Sequence, residues 1–394
     1  MHLFFSVGEP SGDQHAAELI REFRHLHQGE TRFSGFGGPE MQAEGLECLF
    51  QLTDLAVVGL GQVLPLVKKF YGLVQVAKAF LKKEKPDAVV LVDFPGFNWW
   101  IAAAAKEVGI PVYYYCPPQL WAWAPWRIRK VHRSVDCVLS VLPFEAEWYR
   151  KHGVDVEYVG HPFFDEVARH DLDQREVEEL KAVSGQSIGI LPGSRKQELL
   201  RNFPVMLSVM SELYEKHPHL KFQVACYKNW HLNQARKMYE EYESQLPIEF
   251  HIGKTSEIIE AADMCMMVSG SVSLEMLARK TPAAVMYRVN WLTSILGRFL
   301  LTVDYFSLPN LIAKSPLMPE FPLVRLQSPK VDRLTAQLDE WISHPEILNQ
   351  SKEKMSVLAD EIVETGGVKR AARVLHGRLT TETQNQEFPK SKAA

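Results

Sequence analysis

Two glycine-containing turns and one acidic strand end hold the residue types that could do chemistry. The first turn is Leu191-Pro192-Gly193-Ser194-Arg195-Lys196-Gln197-Glu198. It follows a short apolar run, 187–191, and precedes an amphipathic segment, an order that reads strand, turn, helix. Ser194 and Gln197 have capping-box spacing, which places the helix start at Ser194. Free backbone N–H groups at Gly193 and Ser194, with Arg195 beside them, make an anion site. The second turn is Val268-Ser269-Gly270-Ser271-Val272-Ser273-Leu274-Glu275. Ser269, Gly270 and Ser271 sit between a strand end and a helix, a second anion site. Glu275 would either accept hydrogen bonds from a ribose diol or complement the helix dipole.

The acidic strand end is Asp93, in Leu91-Val92-Asp93-Phe94-Pro95-Gly96-Phe97-Asn98. A carboxylate desolvated by Phe94 and Phe97 suits a general base. The alternative is a cap for a helix beginning near Asn98. An N-terminal loop, Gly8-Glu9-Pro10-Ser11-Gly12-Asp13-Gln14, pairs Ser11 and Gln14 at capping-box spacing. It is neither GxGxxG nor a Walker loop, which weakens a dinucleotide or ATP reading. A third loop, Cys116 to Arg127, carries Trp121, Trp123 and Trp126 among prolines. Indole faces suit sugar rings or acyl chains, and Arg127 suits a phosphate; aromatic packing between domains is the bland alternative. Asn310, after Leu308-Pro309, closes a turn or meets a ligand. His161, before Pro162, reads as structural.

These loops need strands and helices to position them. Strands fit 2–7, 88–93, 112–115 and 137–141 in the first half, and 187–191, 221–225, 248–251, 264–268 and 283–286 in the second. Helices fit 13–27, 65–82, 99–107 and 144–152, then 195–217, 232–242, 256–262 and 272–279. The alternation implies βαβ units and parallel sheets, an α/β fold of two Rossmann-like domains. Ligands in such sheets bind beyond the carboxyl ends of the strands, so two facing domains enclose a cleft. The expected division is 1–165 for the first domain and 166–345 for the second. Helices over 346–380 would pack back on the first domain, and 381–394 would be a disordered tail. Gly160-His161-Pro162 and the polar stretch 165–178 read as a linker.

Composition excludes several classes. Of 394 residues, 46% are hydrophobic and 23% charged, an ordinary globular balance. A net charge of −4 argues against a nucleic-acid partner bound by global positive charge. Five scattered cysteines, Cys48, Cys116, Cys137, Cys226 and Cys265, form neither a disulfide framework nor a metal-ligand cluster. A reducing cytoplasm fits best. No apolar run reaches the ~18 residues of a membrane span. Two segments are amphipathic and basic: 57–83, with Lys68, Lys69, Lys78, Lys82 and Lys83, and 291–301. Such faces suit an anionic membrane surface or the domain core.

Taken in order, these stretches resemble the lipid-A-disaccharide synthase family, inverting glycosyltransferases of the GT-B type. The resemblance joins Gly8 to Asp13, Gly37-Gly38-Pro39 with Met41, Asp93 to Asn98, Trp121-Ala122-Trp123, Leu142-Pro143-Phe144-Glu145, Gly160-His161-Pro162, Leu191 to Arg195, Ser269 to Glu275, Tyr287-Arg288 and Ser307 to Asn310. It implies transfer of a diacylglucosamine unit from UDP-2,3-diacylglucosamine to the 6-hydroxyl of 2,3-diacylglucosamine 1-phosphate. The products are a β-1,6-linked disaccharide 1-phosphate and UDP, with no metal and no cofactor. Asp93 would be the base and Arg195 would stabilise the leaving diphosphate. Gly193, Ser194, Ser269, Gly270, Ser271, Glu275 and Asn310 would hold the donor; Glu9, Ser11, Trp123 and Arg127 would meet the acceptor. The resemblance also implies a peripheral place on the cytoplasmic face of the bacterial inner membrane, and leaves room for a homodimer. The chain departs from the family at Gly96, where Asp is common, at Cys116-Pro117-Pro118, and at Ser271, where Thr is common. A UDP-N-acetylglucosamine 2-epimerase-like enzyme would share the UDP site without a lipid surface. A peripheral membrane protein that binds nucleotide-sugars without turnover is the non-enzymatic alternative.

Overall fold

A computed structural model describes residues 1–55, 66–182, 185–242, 245–288, 303–323 and 329–387. The chain divides into two compact units, Met1–Asp165 with Glu364–Ala394, and Glu166–Val363. In the first, seven parallel strands run β1 (His2–Val7), β2 (Arg32–Gly37), β3 (Leu46–Gln51), β4 (Ala88–Val92), β5 (Val112–Tyr115), β6 (Cys137–Ser140) and β7 (Val156–Tyr158). Their order in the sheet is β3-β2-β1-β4-β5-β6-β7. In the second, β8 (Ser187–Leu191), β9 (Lys221–Cys226), β10 (Ile248–Ile252), β11 (Met264–Val268), β12 (Ala283–Arg288) and β13 (Glu320–Leu323) are ordered β10-β9-β8-β11-β12-β13. Each sheet reverses its winding once, between β1 and β4 and between β8 and β11. Those are the switch points where open α/β sheets bind ligands.

Central strands such as β4 are buried at every position. Helices cover both faces of a parallel sheet, so such strands read as unbroken apolar runs. The four strands missed from sequence lack that run. β3, β7 and β13 are sheet edges, and β13 carries Pro322, which only an edge tolerates. β2 is interrupted by Gly35 at φ 137, where a Cβ would lie 2.0 Å from the Phe5 carbonyl oxygen.

Several boundaries differ from expectation. The first helix is Pro10–Leu26, with Glu9 at its N-cap and no side-chain cap, so Ser11 lies inside it and closes no capping box. The helix after β4 is Pro95–Glu107 rather than one starting near residue 99. The 165–178 stretch is not a loose linker: Pro162–Arg169 and Gln174–Lys181 are helices, the second capped by Asp173 through the Glu176 amide at 3.3 Å. Residues 381–387 continue the helix Gly367–Glu387 rather than forming a disordered tail; 388–394 lie outside the described residues.

Helix Pro345–Ile362 belongs to the second unit, whereas Gly367–Glu387 packs along helix Pro10–Leu26 in the first. Asp165 accepts from the Val368 amide at 2.9 Å and from the Gly366 amide. Arg370 donates to the Val159 carbonyl at 2.8 Å, and Arg378 pairs with Asp155 and Glu157. No helix among the described residues is long and apolar enough to cross a membrane. Within 57–83, residues 57–65 lie outside the described residues, as does the whole of 291–301.

Candidate active site

At the first switch point, the loops after β1 and β4 lie side by side because β1 and β4 are paired. Asp93 directly follows β4. Asp93 and Phe94 both take the left-handed conformation, at φ 45 and 44. Two successive non-glycine residues there cost of order 1–3 kcal/mol each and persist only when the surroundings enforce them. The enforcement is visible. Asn98 donates to the Asp93 carbonyl at 2.8 Å, to Val92 at 3.2 Å and to Ser6 at 3.1 Å, and accepts from the Ser6 hydroxyl at 2.6 Å. The Tyr114 hydroxyl adds a bond to the Asp93 carbonyl at 2.7 Å. Opposite, Gly8 leaves room for the Phe94 ring; a Cβ at Gly8 would lie 2.4 Å from it.

This backbone holds the Asp93 carboxylate beside Gly12, whose Cβ would lie 3.6 Å from its oxygen. Among the described residues, nothing donates a hydrogen bond to that carboxylate. It is therefore not a helix cap; the N-cap residue of Pro95–Glu107 is Phe94. Burial pushes the Asp93 carboxyl up to about 7, helped by the negative charges of Glu9 and Glu145. Burial disfavours the charged form, and nearby carboxylates add to the effect. A half-buried carboxyl poised near neutrality suits proton abstraction. Glu9, the N-cap residue of the first helix, is half-buried, and Ser11 in that helix's first turn is exposed. Trp123 is exposed on its own loop, and the Arg127 guanidinium lies over its ring at 4.4 Å.

At the second switch point, β8 and β11 pair with Leu191 opposite Met267, so the turns that follow them are neighbours. Gly193 sits at φ 97, and its carbonyl accepts from His231 Nε2 at 2.8 Å. The helix that follows is Lys196–Lys216, with Arg195 as its N-cap residue, one position later than the sequence spacing indicated. Glu198, not Gln197, closes the turn: its carboxylate accepts from the Arg195 amide and guanidinium, both at 3.2 Å. The Arg195 side chain remains 62% exposed, so it stays open to a ligand. Ser194 is exposed beside it.

In the neighbouring turn, Ser273 donates to the Gly270 carbonyl at 2.8 Å, while Gly270 and Ser271 are exposed at the N-terminus of helix Val272–Arg279. Ser269 donates to the Phe306 carbonyl at 3.3 Å. Glu275 lies in the first turn of its helix and pairs with Arg279 at 2.9 Å. Asn310 is fully buried. It donates to the Met318 carbonyl and to Glu320, both at 2.7 Å, and accepts from the Met318 amide at 2.7 Å. Both amide donors are committed inside the protein, so Asn310 acts by holding Glu320. Glu320 in turn accepts from the Phe306 amide at 2.9 Å and the Ser307 amide at 2.8 Å.

Sequence reasoning assigned no role to Asn98, Glu145, His231 or Glu320. Each acts through a partner distant in sequence, and only the fold brings the partner within reach.

Two Rossmann-like units, each with the loops that follow its central strands gathered at a switch point, define the GT-B fold. Solved structures agree on the fold. S. aureus MnaA in its UDP co-structure aligns at TM-score 0.65 and 11% identity, over 96% of each chain. A putative UDP-N-acetylglucosamine 2-epimerase from Listeria monocytogenes aligns at 0.65 and 12% identity, covering 100% of this chain and 97% of that one. The glycotransferase of kitacinnamycin aligns at 0.62 and 17% identity, covering 96% and 98%.

Sequence comparison goes further than fold. The family model for lipid-A-disaccharide synthetase matches residues 3–366. A lipid-A-disaccharide synthase of Nitrosococcus oceani is 38% identical over 318 residues, 80% of this chain and 81% of its own. Another, from Syntrophus aciditrophicus, is 34% identical over 373 residues, 93% and 94% of the two chains. The chain belongs to the lipid-A-disaccharide synthase family.

Proposed function

We propose that this glycosyltransferase uses Asp93 as the general base for its acceptor and Arg195 as the stabiliser of its leaving group. The reaction condenses UDP-2,3-diacylglucosamine with 2,3-diacylglucosamine 1-phosphate, giving the β-1,6-linked disaccharide 1-phosphate and UDP. The observation that carries the reading is Asp93: a strained, desolvated carboxyl at a switch point, free of structural hydrogen bonds among the described residues. Asp93 takes the proton of the acceptor 6-hydroxyl. That oxygen attacks the anomeric carbon of the donor from the face opposite UDP, and the bond to the β-phosphate oxygen breaks. Negative charge accumulates on the departing diphosphate, where Arg195 and the backbone N–H groups near Ser194 and Ser271 oppose it. Glu275 receives the ribose diol with the carboxylate oxygen not paired to Arg279. Asn310, through Glu320, shapes the same wall. Ser11, Glu9, Trp123 and Arg127 meet the acceptor, whose sugar face suits the indole and whose phosphate suits the guanidinium.

The test is incubation with both diacyl substrates followed by mass analysis. The wild-type chain should form the disaccharide. Asp93→Asn should keep UDP binding and lose roughly 10²-fold or more in kcat. Near-normal turnover in that variant removes Asp93 from the role.

The helix Val67–Glu84 supports peripheral binding to an anionic membrane. Leu73, Val74, Ala77 and Leu81 face the core, while Val67, Tyr71 and Val76 are exposed together with Lys68, Lys69, Lys82 and Lys83. Exposed apolar residues interspersed with lysines on the solvent side of the helix fit an interfacial position. Co-sedimentation with vesicles containing anionic lipid should fall when Lys68, Lys69 and Lys82 are reversed to Glu. Vesicle binding that charge reversal leaves untouched would oppose this reading.

A further inference from the structure

Three adjacent strand ends bring a second carboxylate to the first unit's site. β4, β5 and β6 are neighbours, with Val92 opposite Tyr115 and Tyr115 opposite Leu139. Asp93 follows β4, Cys116 follows β5, and Ser140 closes β6. Two inter-strand spacings put the Ser140 end about 10 Å from the Asp93 end. On Ser140 rests Glu145, 1% exposed. Its carboxylate accepts from the Ser140 hydroxyl at 2.8 Å and from the Trp121 indole N–H at 2.9 Å. Glu145 lies in the first turn of helix Pro143–Lys151, whose N-terminus favours negative charge.

The same helix makes a second anchor one turn on. The Tyr149 hydroxyl donates to the Pro118 carbonyl at 2.8 Å. Glu145 and Tyr149 thus pin the 116–127 loop at two points, Trp121 and Pro118. Trp121 also packs edge-on against Phe144 at 4.7 Å. Just beyond the Trp121 anchor stand exposed Trp123 and half-buried Arg127, on either side of Ala124 in the left-handed conformation at φ 57. A buried carboxylate is a costly way to hold a loop; an apolar contact would serve stability as well.

We propose that Glu145 is a positioning residue of the acceptor side, which locks the tryptophan loop through Trp121 and acts on Asp93 through its charge across the strand ends. The second half of this rests on Asp93 being the base. The groups that face Asp93 are Glu9, Tyr114, Tyr115, Cys116 and Glu145, and Tyr149 also faces Glu145. Burial pushes Glu145 itself up to about 7, against the pull of Trp121 and Ser140. The two carboxyls therefore titrate in one range and as a pair.

Two variants separate the two roles. Glu145→Gln keeps an oxygen for Trp121 and removes the charge. The acid limb of its kcat/KM profile should move down by a few tenths of a pH unit: a full unit charge at ~10 Å and an effective dielectric near ~20 is worth about one unit, and Glu145 carries only part of that charge below pH 7. Trp121→Phe keeps the charge and the packing against Phe144 but loses the N–H. It should raise acceptor KM by about tenfold and leave donor KM and the acid limb in place. An unmoved acid limb in Glu145→Gln overturns the charge role, and an unchanged acceptor KM in Trp121→Phe overturns the anchor. Asp93→Asn run alongside keeps the two readings distinguishable. If it retains turnover, Asp93 is not the base and only the anchor remains to be judged. If it is inactive while the Glu145→Gln limb stays put, the base stands and the charge role falls.

Discussion

Asp93 combines two features that stability alone would select against, a left-handed backbone and a carboxyl pushed up to about 7. Its protonation gives a signed expectation. The folded value lies above the ordinary carboxylate value of ~4, so the folded chain holds the proton more tightly. The stability this group contributes is complete below pH ~4 and is lost as pH rises through about 7. With Asp93 as the proposed base, activity runs the other way, because a base must be ionised. The value of kcat/KM should fall tenfold per pH unit below about 7 and level off above it. Asp93→Asn, which cannot ionise, should melt a few degrees above the wild type at pH 8 and much closer to it at pH 4, read by thermal unfolding. An equal difference at both pH values would mean that the gain has another cause.

At the scale of elements, the proposed donor site depends on how a strand hands over to a helix. Gly193 turns the chain at φ 97 and leaves room for Glu198, which closes the first turn of Lys196–Lys216. A Cβ at Gly193 would lie 2.6 Å from a Glu198 oxygen. Gly193→Ala is thus strained twice, in its backbone and against that carboxylate. It should cost about 1–2 kcal/mol in urea unfolding and raise donor KM severalfold while acceptor KM holds. Unchanged donor KM would show that the turn's shape does not matter to UDP binding. The first unit uses a comparable device. Asp13, on helix Pro10–Leu26, accepts from the Gly38, Glu40 and Met41 amides at 2.8, 3.0 and 3.2 Å. It thereby satisfies the N-terminus of the short helix Pro39–Ala43, which has no side-chain cap of its own.

At the scale of the molecule, the first unit is completed by residues from the far end of the chain. Val368, Ala371, Ala372, Leu375 and Leu379 of the last helix are buried, and Phe23 meets His376 at 5.6 Å. Truncation after Val363 removes that apolar face from one unit only. Calorimetry should show one transition lowered by ten degrees or more, or lost. The second unit, which holds Arg195 and Glu275, should keep its own transition and its affinity for UDP. A single cooperative transition shifted as a whole would show instead that the two units unfold together.

Much of this protein is legible without coordinates. Continuous apolar runs such as 88–92 and 264–268 mark the central strands, because burial on both faces leaves no polar alternation. The turns after them mark the candidate ligand loops, since Gly193, Gly270 and the acidic Asp93 each stand where a parallel strand ends. The ordered motifs from Gly8 to Asn310 identify the family. Three of the four edge strands, β3, β7 and β13, were not legible, because half-solvated chains have no distinctive run, whereas the fourth, β10, was read at 248–251. Nor were the supporting side chains. Asn98 fixes Asp93 by reaching Ser6, and Glu145 reaches both Ser140 and Trp121. His231 holds Gly193 across 38 residues of sequence. The local sequence determined which residues could react and which turns could bind an anion, because spacing and propensity act within a few residues. Tertiary structure alone decided which of them are strained, desolvated or already committed, as Asn310 is, because those properties depend on neighbours that only the folded sheet supplies.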